Sequence, residues 1–185
     1  MFDKDYSFTG RHAKRVKQLK REFDNDKNSI FSSSIEIYLL APIIGFLYGR
    51  SEDIDKGDKT ANILLGAINR VREDLFFNYR LIMLLDEKNE KDFTERVNKA
   101  FRDYGSDKCS NDELIYERYV RGGVDMLYEK IIEPSKTSED YIDNLYIFMK
   151  EINERYNKKV PKDSINDLCR LARNWKWKKI MNLRI

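Results

Sequence analysis

Thirteen consecutive residues without a charge, Ile37–Gly49 ("IYLLAPIIGFLYG"), interrupt a chain in which 36% of residues are charged. A run of this kind must be buried. It is too short to span a bilayer, which takes about 20 apolar residues, and it fits a core helix. Within it Ala41, Gly45 and Gly49 fall at i, i+4 and i+8, one stripe of small residues along which another backbone can come close. The expected partner is the helix that follows in sequence. A self-association face, giving a homo-oligomer, is the alternative reading. Pro42 lies deep enough in this helix to kink it.

The rest of the chain also carries helical spacing, with start and stop signals between segments. Pro is rare, at three residues, and no convincing period-2 strand is seen. A first helix is expected from about Gly10 to Phe23, with Thr9 as N-cap and Val16, Leu19 and Phe23 as a narrow apolar stripe. Ser33 and Glu36 have capping-box spacing and open the second helix, which ends near Gly49. The spacing predicts a long third helix from Thr60 to Leu85. Leu64, Ile68, Val71, Leu75, Tyr79 and Ile82 line one face, and Phe76, Phe77, Leu81, Met83 and Leu84 spread onto others, which makes this helix central. A fourth spans about Glu90–Tyr104 and stops at Gly105. Ser110 with Glu113 starts a fifth that runs to Ile132. Thr137 or Ser138 caps a sixth to Tyr156, and Pro161 to Lys179 makes the last. Gly122 and Gly123 lie inside the fifth, where two glycines cost roughly 1 kcal/mol each against Ala. A tight helix crossing or a bend accounts for that cost, with a phosphate-binding turn as the weaker alternative. The expected fold is a single all-α domain over residues 1–185, a bundle of about seven helices around a long central one.

The formal charge of +3 hides an uneven layout. Residues 11–21 carry +6 with no acid, and so do residues 170–185, which leaves −9 on the remainder. Two basic ends (about 10–23 and 161–185) on an acidic body point to a polyanion or an acidic protein partner; two solvated helix faces are the plainer reading. The start, "MFDKDYSF", is acidic where a secretion signal needs a basic end and an apolar run. Cys109 and Cys169 stand alone without CxxC spacing, which suits a reduced, cytoplasmic protein.

Several chemistries have no material here. His12 is the only histidine, so His-based triads and zinc sites are excluded. Its setting between Arg11 and Lys14 suggests a surface residue or a phosphate contact. The loop with Asp53, Asp55, Gly57 and Asp58 has a calcium-loop flavour in the wrong order, with Leu64 where the closing Glu belongs. Asp86 and Lys88 form a D-x-K fragment outside any strand and read as helix-end charge. No metal and no cofactor is expected.

The basic ends are therefore the candidate site, because Lys and Arg supply most non-specific nucleic-acid affinity. At the first helix these are Arg11, His12, Lys14, Arg15 and Lys17. At the C-terminal segment they are Arg173, Lys176, Trp177, Lys178 and Lys179. Trp175 and Trp177 lie about 200° apart on a helix. Trp175 would join Leu168 and Leu171 on the core face, while Trp177 would stack on a base or fill a partner's pocket. The alternative packs Trp177 with Ile180 and Leu183.

The stretches "YLLAPIIGFLYGR", "FFNYRLIMLLDEKNE" and "RYVRGGVDMLYEKI" resemble small, non-catalytic helical proteins encoded beside larger ATPases or nucleases in bacterial anti-phage and mobile-element clusters. The resemblance covers residues 35–150 and implies an accessory role, with no catalytic residue carried over. Together these readings lead to a cytoplasmic, non-enzymatic subunit that meets a protein partner, contacts DNA or RNA through its basic ends, and does not engage a membrane. A pure protein–protein adaptor, or an inhibitor of a nucleic-acid enzyme, is the first alternative. An enzyme with a carboxylate-based site is the second.

Overall fold

A computed structural model describes residues 1–156. The predicted helix from Pro161 and the tail residues Arg173, Lys176, Trp177, Lys178 and Lys179 lie outside the described residues. The described chain is mostly helical, as expected, in the order β1 (Tyr6–Thr9), α1 (Gly10–Leu19), α2 (Ser34–Leu47), β2 (Thr60–Ile63), α3 (Leu65–Arg70), α4 (Arg72–Leu85), α5 (Phe93–Phe101), α6 (Ser110–Leu127) and α7 (Ser138–Tyr156). A 3-10 turn at Asp107–Cys109 leads into α6, and a π turn at Tyr128–Ile132 extends it. Residues 1–146 form one compact unit, and the end of α7, from Ile147, belongs to a second. None of the described helices is long and apolar enough to cross a membrane.

The close approach foreseen at Gly45 exists, but its partner is α6 and not the Thr60–Leu85 segment. A Cβ on Gly45 would stand 2.1 Å from the carbonyl oxygen of Tyr119, and one on Gly123 would stand 1.7 Å from that of Ala41. Gly122 meets the Arg50 carbonyl in the same way, at 2.0 Å. The two glycines that looked expensive in the α6 sequence are therefore the other half of the α2 stripe. Gly49 serves a different end. Its φ is +62°, and it closes α2 with the two bonds of a Schellman cap: Arg50 N–H to Gly45 O at 2.8 Å and Gly49 N–H to Phe46 O at 3.0 Å. Around this pair Tyr38, Leu75, Tyr79, Ile82, Tyr116 and Val120 are fully buried. Phe2 sets its ring edge-on to Tyr38 and Tyr116.

The long third helix is not continuous. Thr60–Ile63 is strand β2, antiparallel to β1 with Tyr6 opposite Ile63 and Thr9 opposite Thr60. Ala61 and Ile63 are buried while Thr60 and Asn62 are exposed, an alternation too brief to stand out in the sequence. Val71, at φ −121° and ψ 20°, separates α3 from α4. Only one stripe of α4 (Leu75, Tyr79, Ile82 and Met83) is buried, and Phe77 is 63% exposed, so α4 flanks the α2–α6 pair instead of forming the centre.

The start of α1 also departs from the expected cap. Thr9 makes no side-chain cap, and its hydroxyl donates to the carbonyl of Asp55. The Asp55 carboxylate caps the helix instead, accepting from Arg11 N–H at 2.7 Å and Gly57 N–H at 3.0 Å. Gly10 (φ +54°) lies so close that a Cβ there would meet that carboxylate at 2.3 Å. The loop that looked faintly like a calcium site is thus a remote helix cap.

Gly123→Ala should lower stability by at least about 1–3 kcal/mol, because the new methyl meets backbone and not a movable side chain. Gly66→Ala, where a Cβ meets nothing within 4 Å, should be neutral or raise stability by a few tenths of a kcal/mol up to about 1. Thermal melts of the two variants check the pair.

Candidate functional site

Closing α2 with a Schellman turn carries Arg50 back over α6, where Asp125 lies one turn beyond Gly122. Asp125 is 1% exposed, and four basic side chains converge on it. Arg15 Nη1 is 2.6 Å away, Arg11 Nη2 3.3 Å, His12 Nε2 3.4 Å and Arg50 Nη2 3.9 Å. Two more acids complete the cluster. The Arg50 guanidinium forks onto Glu129, and Arg11 reaches Glu52 at 2.6 Å. Arg15 also lies over the Tyr128 ring, 4.8 Å from its centre. Three guanidiniums thus meet three carboxylates at the junction of α1, α2 and α6. Burial pushes the Asp125 carboxyl up, but His12 and Arg15 beside it outweigh that and hold it below the usual Asp range. The pairing is by distance more than direction: neither Asp125 oxygen and neither His12 nitrogen has a well-aligned hydrogen bond among the described residues.

This geometry divides the basic residues of α1. Arg11 and Arg15 are tied into the cluster. His12 is 1% exposed, which corrects its expected place on the surface; it sits on the helix face that packs inward with Ala13 and Val16. Lys14 and Lys17 are exposed on the far side. With Gln18 and Lys59 they line a shallow depression of about 420 Å³. Asp86, at the end of α4, is buried and accepts from the Tyr119 hydroxyl at 2.9 Å and from Asn89, consistent with a helix-end role.

A second feature lies between β1 and α6. Its cleft of about 480 Å³ is lined by Tyr6, Phe8, His12, Glu117 and Arg121, among others. Glu117 accepts from the Tyr6 hydroxyl at 2.6 Å and the Tyr38 hydroxyl at 3.0 Å. Burial pushes the Glu117 carboxyl above its ordinary range against the pull of those two bonds. The same burial, with Glu117 adjacent, pushes the two tyrosines well up. No cluster of His, Cys, Asp and Glu able to hold a metal occurs among the described residues.

Asp125, Arg50, Glu129 and Glu117 were not singled out by sequence reasoning. A signal did exist. Glu117, Arg121 and Asp125 on α6 and Glu129 in the π turn that extends it recur every four residues, bordering the face that Gly122 and Gly123 mark as closely packed. No family model, curated protein or solved structure matches this chain.

Asp125→Ala should destabilise the protein by about 3–5 kcal/mol near neutral pH, since it leaves cations partly buried without their counter-charge. The sign of the pH dependence follows from the lowered folded-state value. The stabilisation is present above the unfolded Asp range, near pH 4, and is lost as pH falls through the folded one. Denaturant melts of wild type and Asp125→Ala should therefore converge towards strongly acidic pH.

Proposed function

We propose that this protein is a non-enzymatic, nucleic-acid-contacting accessory subunit whose described contact surface is the outward face of α1. The supporting observation is the division of charge on that helix. Arg11 and Arg15 are neutralised by Asp125, Glu52 and Glu129. Lys14 and Lys17 stay in solvent and join Lys59 around a depression with no acid in its lining among the described residues. Three lysines on a concave surface suit successive phosphates, which attract ammonium groups as point charges and carry no sequence information. The basic segment 161–185 would extend the contact, with Trp177 stacking on a base. A cytoplasmic setting is supported by the two cysteines of the sequence, which stand apart without CxxC spacing. The resemblance of residues 35–150 suggests a bacterial defence or mobile-element complex, in which the protein would meet a larger partner.

The adaptor reading is favoured by a different observation. Phe77 and Phe101 are 63% and 59% exposed and, with Leu81 and Leu84, flank a groove of about 370 Å³ between α4 and α5. Apolar rings left in water at a groove are a common mark of protein contact.

Salt-dependent titration separates the two. Binding to short duplex and single-stranded DNA and RNA should weaken steeply as KCl rises. Replacing Lys14, Lys17 and Lys59 together by Ala should reduce the slope of log affinity against log salt by about one unit per lysine for duplex. Undetectable binding at low salt, or an unchanged slope in the triple variant, would remove α1 as a nucleic-acid surface and favour the adaptor.

A further inference from the structure

We infer that the cleft between β1 and α6 is a binding site for a small amphipathic organic acid, with its carboxylate towards Arg121 and His12 and its apolar body on Leu114 and Ile54. Four observations converge on this. The cleft encloses about 480 Å³, within the roughly 300–1,000 Å³ usual for small-molecule sites. Its walls carry two large apolar side chains left in water: Leu114 on α6 is 61% exposed, and Ile54 on the loop before β2 is 56% exposed. A ligand's apolar body would remove both from solvent.

The polar groups account for the head of the ligand. His12 lines the cleft at 1% exposure, with Nε2 turned to Asp125 at 3.4 Å and Nδ1 without a hydrogen-bond partner among the described residues. A buried ring nitrogen in that condition is unfavourable, and a carboxylate oxygen of the ligand relieves it by accepting from an Nδ1–H. Arg121 uses Nε on the Glu52 carbonyl at 2.8 Å and holds Nη1 3.7 Å from Glu117. A guanidinium has five N–H donors, so capacity remains for a carboxylate.

The sign of the ligand follows from which acids are already engaged. Glu117 takes the hydroxyls of Tyr6 and Tyr38. Asp5 accepts from Leu65 N–H at 2.7 Å, and Glu113 pairs with the Met1 amino group at 3.1 Å. Lys4, also at the cleft, is exposed. The acids are engaged within the chain, while the exposed Lys4 and the remaining N–H groups of Arg121 can still donate to an anion.

The test uses 8-anilinonaphthalene-1-sulfonate, an anionic aromatic fluorophore, on the full chain, with octanoate and octanol as competitors. The expected result is saturable binding at one site that octanoate displaces at roughly tenfold lower concentration than octanol, a ratio set by one charge-assisted contact. Arg121→Gln should weaken the probe by roughly tenfold. Leu114→Ser, an exposed position with little bearing on folding, should weaken it several-fold. Phe77→Ser, in the α4–α5 groove, should leave it unchanged. Non-saturable binding, equal displacement by octanol, indifference to Leu114→Ser, or loss of binding in Phe77→Ser would each overturn the site.

Discussion

Two backbones touch where α2 crosses α6, and the arrangement of residues 1–146 depends on that contact. At Gly45 and Gly123 there is no room for even one methyl group between the helices. Close packing of this kind multiplies small dispersion gains and admits Cα–H to carbonyl contacts that a wider spacing would forfeit. It also fixes register. Gly45 sits against the Tyr119 carbonyl and Gly123 against the Ala41 carbonyl, so sliding either helix by one residue would drive a side chain into a peptide. The Schellman turn at Gly49 then has a defined position over α6, and Arg50 is delivered to Asp125 and Glu129.

The charge cluster is best understood as a consequence of that crossing. Taking ions out of water is unfavourable, and an apolar replacement of the whole set could be as stable. What the cluster adds is orientation. Asp125 engages α1 through Arg11, His12 and Arg15 at once, which sets the rotation of α1 about its axis. With that rotation fixed, His12 lines the β1–α6 cleft and Lys14 and Lys17 face the opposite way. One helix therefore supplies the floor of an apolar-walled cleft and a basic outer surface, and both proposals rest on the same rotational constraint.

The helical class and the small-residue stripe were legible because both are local patterns. A run of uncharged residues, capping spacings and glycines after helices are read within a few positions of one another. What the sequence hid is non-local. Strand β2 is four residues long and exists because β1, more than fifty positions earlier, pairs with it. Thr60–Leu85 kept helical spacing throughout, yet pairing at one end and a break at Val71 divided it. The α1 cap comes from Asp55, and no reading of "FTGRH" could find it. His12 was misplaced for a related reason: flanking Arg and Lys suggested a solvated face, whereas two of those neighbours turn inward to an aspartate over a hundred positions away. Gly45 meets α6, more than seventy positions on, and not the next helix in sequence, because adjacency along the chain does not dictate adjacency in space.

Native-state amide hydrogen exchange tests the central claim most directly, since it ranks segments by the free energy of their opening. If the α2–α6 crossing holds the unit together, the amides of Ala41, of Ile43 to Gly45 and of Tyr119 to Val124 will be the slowest to exchange, at the rate of global unfolding. The amides of α4 and α5 will open earlier. Slower exchange in α4 and α5 than at the crossing would contradict the account and place the organising contact elsewhere.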